Sequence, residues 1–214
     1  MYFASILGGT GLYIKTLMGG LIACPPSDPA LRDALRRECE MHGAVFLHKR
    51  LERLDPESAG KIHPNDAVRI IRALEIMQLT QKRLSALVLS HGFKSRSFDA
   101  LKICLQIGRN QLYHRINERC VRMIEDGLIE ETEGLLNKGF SPDLKPMKSL
   151  GYRHMVQFLE GRWPLEGAIH RLQTDTRRYA KRQLTWFGAD PEVSWYEHGE
   201  KEKIIREIND FICT

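Results

Sequence analysis

Between residues 25 and 95 the chain signals one helix start after another and offers no strand. "SDPALRDALRRECEMHG" places Asp28 before Pro29 and ends on Gly43. A short oxygen-bearing side chain accepts the orphan N–H groups of a first helical turn. Proline suits that turn because its missing N–H is not needed there, and glycine tolerates the left-handed backbone that closes a helix. "LDPESAGKIHPNDAVRIIRALEIMQLTQKRL" repeats the device. Asp55 and Pro56 open a second helix, Pro64 is expected to end it, and Asn65 or Asp66 caps the next. So long a run without strand character must form a helical module set into, or beside, whatever surrounds it.

The flanks read differently. "YFASILGGTGLYIKTLMGGL" is expected to be a short strand, a glycine loop and a helix of about two turns, a β-to-α step of layered folds. "ALKICLQIG" returns to a strand bounded by Gly108, several helical stretches separated by glycine and proline follow, and "EVSWYE" makes a last strand. The expected organisation is an α/β core with a helical insertion: residues 1–24 as a core segment, 25–95 as the insertion, and 96–214 as the rest of the core with its basic helices.

Composition narrows the class. In 214 residues, 43% hydrophobic content suffices for a core, and a net charge of +5 is only mildly basic, so any nucleic-acid signal must come from clustering. It does cluster, since residues 145–186 hold nine lysines and arginines against three acids. Cys24, Cys39, Cys104, Cys120 and Cys213 are scattered singly, with no C-x-x-C pair. That pattern indicates neither a zinc site nor a disulfide framework, and it fits a reduced cytoplasm. No apolar run approaches a membrane span. A cytoplasmic monomer without a protein-held metal is expected.

Five stretches carry candidate chemistry. On the helix that carries "TRRYAKRQLTWF", at ~100° per residue, Arg171, Arg177, Arg178, Lys181 and Arg182 fall within roughly 140° of the circumference. Leu172, Tyr179, Ala180, Gln183, Leu184, Trp186 and Phe187 take the other side. One face is expected to enter a core and the other to meet phosphates, with a solvated charged face as the plain alternative. In "IGRNQLYHRINERCVRMIEDG", Arg115, Arg119 and Arg122 share a face, with Arg109 at the entry. Guanidinium groups so gathered suit phosphate or pyrophosphate, and salt bridges to Glu118 or Asp126 are the alternative. Arg69 and Arg72 lie one turn apart in "HPNDAVRIIRALEI". "KSLGYRHMVQFLEG" sets Lys148, Tyr152 and Arg153 around Gly151, cation plus ring being usual equipment for an unstacked base. "GGTG" at 8–11 is either a tight turn or a loop whose amides face an anion. It is not a Walker loop, because the one Gly-Lys pair, Gly60-Lys61, is followed by Ile62.

"GGTGLYIKTLMGGL", "DPESAGKIHPNDAVRIIRALEI", "SLGYRHMVQFLEG" and "TRRYAKRQLTWF", in this order and spacing, strongly resemble the tRNA dimethylallyltransferases, over essentially the whole chain. The resemblance implies a P-loop NTPase-like core with a tRNA-facing helical insertion. It also implies transfer of a dimethylallyl group from dimethylallyl diphosphate to the exocyclic amine of the adenosine 3′ of the anticodon, with magnesium assisting. Position by position, Arg119 matches the arginine near the pyrophosphate, with Arg109 and Arg115 as secondary candidates. Thr10, Arg32, Arg69, Arg72, Lys148, Gly151, Tyr152, Arg153, Arg177, Arg178, Lys181 and Arg182 match positions facing the tRNA anticodon stem-loop. The family's G-x-x-x-x-G-K-[ST] loop and the aspartate that acts as general base have no counterpart before Met1. The chain is therefore expected to be an N-terminally truncated form, inactive alone. A noncatalytic RNA-binding module is the alternative from another class. An adenylate isopentenyltransferase fits less well, since a free nucleotide needs neither the insertion nor the basic segment.

Overall fold

A computed structural model describes residues 4–92 and 98–213. They form two compact units, one within residues 12–99 and the other combining residues 4–11 with 100–213. Residues 12–24, expected in the core segment, group with the helical unit.

The helical unit contains α1 (Gly11–Gly19), α2 (Pro29–His42), α3 (Ala44–Leu54), α4 (Pro56–Ala59), α5 (Ala67–Thr80) and α6 (Leu84–His91). The caps form where the sequence placed them. The Asp28 carboxylate accepts from the Leu31 N–H at 3.0 Å, Gly43 closes α2 at φ 84°, and Asp66 accepts from the Arg69 N–H at 3.1 Å. Each such cap is worth about 1 kcal/mol. Asp55 does more. Fully buried, it caps α4 through the Ser58 N–H (3.2 Å) and hydroxyl (2.6 Å) and also accepts from the Ser85 N–H at 2.9 Å, which anchors the start of α6. The helices close over Leu35, Leu47, Leu51, Ile70, Ile71 and Leu74.

α4 stops at Ala59, well short of Pro64. The reason is His48, whose Nε2 sits 3.1 Å from the Ala59 carbonyl and 2.9 Å from that of Ile62. With its proton on Nε2, the imidazole donates to oxygens that a continuing helix would have used for its own ladder.

The second unit holds β1 (Lys102–Gln106), α7 (Arg109–Glu125), α8 (Leu128–Asn137), a 3₁₀ turn at Pro146–Lys148, α9 (Tyr152–Leu159), α10 (Leu165–Gly188), β2 (Val193–Glu197) and α11 (Lys201–Cys213). β1 and β2 pair in parallel, from Lys102 opposite Val193 to Gln106 opposite Glu197, and form the one sheet among the described residues. The fold is thus mixed helix and sheet, with a small parallel sheet. Lys102 joins the strands' entrances through Asp190 (2.7 Å) and Glu192 (2.9 Å). α7 and α9 pack on α10 around Ile116, Cys120, Leu128, Met155, Ala168 and Leu172.

The expected opening strand is not formed by the described residues 4–10, and Tyr2 and Phe3 lie outside them. A short apolar run becomes a strand only with a ladder partner and a covered face. β1 and β2 pair with each other, and Ile6 and Leu7 lie exposed.

Candidate nucleic-acid interface

α10 presents a mixed face. Arg178, Lys181 and Arg182 are exposed. Arg177 is half-buried against α7. It donates to Asn117 Oδ1 at 2.7 Å and to Thr174 Oγ1 at 2.9 Å, and its guanidinium lies 5.8 Å from the Tyr113 ring centre. Arg171 stacks over Trp163 at 4.4 Å, and Arg182 lies 5.7 Å from the Tyr179 ring centre. The expected core face is buried only in its first half. Leu172 is sealed, but Tyr179, Leu184 and Trp186 are exposed. The side chains of α7 and α9 that reach α10, among them Asn117, Cys120, Arg153 and His154, meet it at residues 175–177, short of Tyr179.

The glycine loop meets the far half of α10. Gln183 Nε2 donates to the Gly9 carbonyl at 2.8 Å, and a Cβ placed on Gly11 would overlap the Trp186 indole. Neither glycine needs positive φ. Close approach of the helix, not a tight turn, is what asks for glycine here. Thr10, between them, is exposed.

α9 brings an unanticipated carboxylate into play. Asp175 accepts from Arg153 and Arg178, the latter at 3.2 Å, and from His154 Nε2 at 3.3 Å. Burial pushes the Asp175 carboxyl up, but the His154 hydrogen bond and the Arg153 charge outweigh it and hold it below the usual carboxylate range. Burial pushes the His154 imidazole down, so near neutral pH it is uncharged. It donates from Nε2 while Nδ1 has no partner among the described residues. Gly151, at φ 96°, lets the chain turn into α9 against Met123 and Leu128. Tyr152 donates its hydroxyl to Glu131 at 2.6 Å, and Lys148 pairs with Asp143 at 2.8 Å.

On α7, Arg109, Arg115, Arg119 and Arg122 are exposed, with no carboxylate partner among the described residues. The alternative of a bridge to Glu118 does not form, since Glu118 pairs with His114 at 3.2 Å. Arg119 lies ~200° round the helix from Asn117, which holds Arg177.

In the helical unit the candidates are more committed. Arg32 and Arg72 each reach Glu75 Oε2 at 2.7 Å, and Arg72 also donates to the Pro25 carbonyl at 3.2 Å. The Glu75 side chain is fully buried, and the Asp28 N–H donates to its other oxygen at 2.9 Å. Burial raises the Glu75 pKa, but the two arginine hydrogen bonds more than reverse that and leave it below the ordinary range. Arg69 stays largely exposed beside Asp66, at 3.4 Å.

Glu75 and Asp175 were missed as site residues, although each could have been found. Asp175 is the one acid between Glu166 and Asp190 in a cationic helix, and Glu75 is the one acid in α5, set among apolar neighbours.

The family profile described as IPP transferase matches residues 3–190. A tRNA dimethylallyltransferase of Desulfatibacillum aliphaticivorans is 50% identical over 205 residues, covering 96% of this chain and 67% of that protein. One from Geobacter sulfurreducens is 48% identical over 193 residues, covering 90% and 62%. Among solved structures, the full-length tRNA isopentenylpyrophosphate transferase of Bacillus halodurans superposes with TM-score 0.59 at 36% identity, covering 95% of this chain and 63% of that one. A eukaryotic dimethylallyltransferase acting on tRNA gives 0.69 at 26% identity, covering 96% and 56%. The chain thus spans about two thirds of the length of its curated relatives. A profile match over most of its residues places this chain in the IPP transferase family.

Proposed function

We propose that this chain serves dimethylallyl transfer to tRNA, its cationic helices gripping an anticodon stem-loop. The dimethylallyl group of dimethylallyl diphosphate then passes to the exocyclic amine of the adenosine 3′ of the anticodon. The observation that carries this reading is the exposed Arg178, Lys181 and Arg182 on α10, in a segment inside the family match and tied to α7, α9 and the glycine loop on its other sides. The reading includes a P-loop NTPase-like core in the cytoplasm, acting as a monomer, with residues 25–95 as an insertion facing the RNA.

The amine nitrogen attacks the allylic carbon, the carbon–oxygen bond to pyrophosphate breaks with its electrons leaving on oxygen, and a base takes the amine proton. Arg119, with Arg109 and Arg115 nearby on α7, takes the pyrophosphate role, since exposed guanidinium forks without a carboxylate partner can accept the developing charge. Among the described residues no group of three or more His, Cys, Asp or Glu side chains could hold an ion.

A second reading, tRNA binding without catalysis, is favoured by the exposed Arg178, Lys181 and Arg182, which can meet phosphates whether or not transfer follows. One experiment separates the two. Unmodified tRNA, labelled dimethylallyl diphosphate and magnesium are incubated with the chain, and label transfer is measured beside tRNA binding across a salt series. Transfer that Arg119→Ala abolishes supports the first reading. Salt-dependent binding without transfer supports the second, and an absence of both removes both.

A further inference from the structure

We propose that Glu75 is a positioning residue that sets Arg32 and Arg72 side by side as a paired-guanidinium clamp for one RNA phosphate. The inference rests on the tRNA-binding reading above.

Both arginines meet the same carboxylate oxygen, Oε2, each at 2.7 Å, so their nearest nitrogens are no farther apart than twice that distance. They come from different helices, α2 and α5. The carboxylate is sealed from solvent, while the arginine side chains remain 29% and 34% exposed. The acid is thus shielded while both arginine side chains keep part of their surface in solvent. Electrostatics make the pairing more than glue. A buried carboxylate must be neutralised, but one arginine and the Asp28 N–H on Oε1 already supply a counter-charge and hydrogen bonds. The second guanidinium gives the three contacting side chains one net positive charge and sets two like charges in close contact, with the Asp28 carboxylate turned to the helix cap. A bound anion relieves that repulsion, and a phosphodiester presents two oxygens for two planar forks. The geometry is also held in advance. Arg72 is pinned by the Pro25 carbonyl at 3.2 Å, and Arg32 stands on the first turn of α2, where Asp28 both caps the helix and binds Glu75. Arg69, one turn from Arg72 and mostly exposed, extends the cationic surface.

The test is E75Q in the full chain, with tRNA as the probe. Removing a negative charge should tighten RNA binding if charge alone mattered. Positioning predicts the opposite sign, roughly tenfold weaker binding for the loss of one well-placed charge-assisted contact, and a salt slope shallower by about one phosphate. Equal or tighter binding with an unchanged slope overturns the clamp. Should E75Q fail to show the wild-type circular dichroism, R32K/R72K keeps both charges and Glu75 while removing the forks. It should weaken binding at every salt concentration, and wild-type affinity in that variant overturns the clamp equally. A wild-type chain that does not bind tRNA overturns the function reading itself, an outcome distinct from a binding wild type with an indifferent E75Q.

Discussion

Each unit gathers two arginines from different turns of chain on one carboxylate, and the two carboxylates are shielded to different degrees. Glu75 is sealed and receives Arg32, Arg72 and a backbone N–H, whereas Asp175, 27% exposed, receives Arg153, Arg178 and the buried His154. The same sequence signature, arginine on a helix surface, therefore stands for two physical situations. In the helical unit the arginines neutralise an acid that water cannot reach, so they hold the fold together before they do anything else. In the second unit the acid is partly in water, and Lys181, Arg182, Arg115 and Arg119 remain without a carboxylate partner among the described residues. A count of positive charges does not distinguish these cases, but burial of the partner acid does.

That contrast can be broken most directly at its acids. Glu75→Ala should lower stability by about 3 kcal/mol, because two half-buried guanidinium groups lose their counter-charge. Urea titration measures this, and a loss no larger than that of Asp175→Ala erases the distinction. Acid should act on the same group. The folded-state pKa of Glu75 lies below its unfolded value, as does that of buried Asp55, so their contribution is complete above the ordinary carboxylate range and fades as pH falls through the depressed folded values. Unfolding midpoints between neutral and strongly acidic pH should fall, and Glu75→Gln should flatten that fall. Gly11→Ala should cost about 1–3 kcal/mol by forcing its new methyl group into the Trp186 indole, with a shift in tryptophan fluorescence. Trp186→Ala in the same chain should restore most of the loss. Asp175→Ala should cost about 1 kcal/mol, since its ion pairs are partly hydrated. Smallest in stability, within about 0.5 kcal/mol, should be the charge reversal Arg178→Glu with Arg182→Glu. The same variant should bind tRNA at least about tenfold more weakly with a flatter salt dependence, and unchanged binding would remove α10 from the interface.

Local chemistry was legible in the sequence wherever neighbours in the chain decide the outcome. Asp28, Asp55 and Asp66 cap the helices they precede, and the two strands lie where "KICLQ" and "VSWYE" stand. Partners distant in the chain decided the rest. Nothing near Pro64 announces that His48 will take the Ala59 and Ile62 carbonyls and stop α4 early. The amphipathic phase of α10 puts Tyr179, Leu184 and Trp186 on its apolar side, but phase does not say where along the helix its neighbours make contact, and all three are exposed. For the candidate interface, the motif positions could be named, but not that Arg32, Arg72, Arg153 and Arg178 already hold acids, because each of these pairings is set by side chains meeting in space.

The seam between Gly9 and Gln183 joins residues 174 apart in the chain. On a ribosome that adds residues from the amino terminus onward, the glycine loop has nothing to rest on until α10 has emerged, whereas the helical unit has every partner of its own core by the time residue 91 is made. The core of the helical unit should thus be complete before the seam between Gly9 and Gln183 can form.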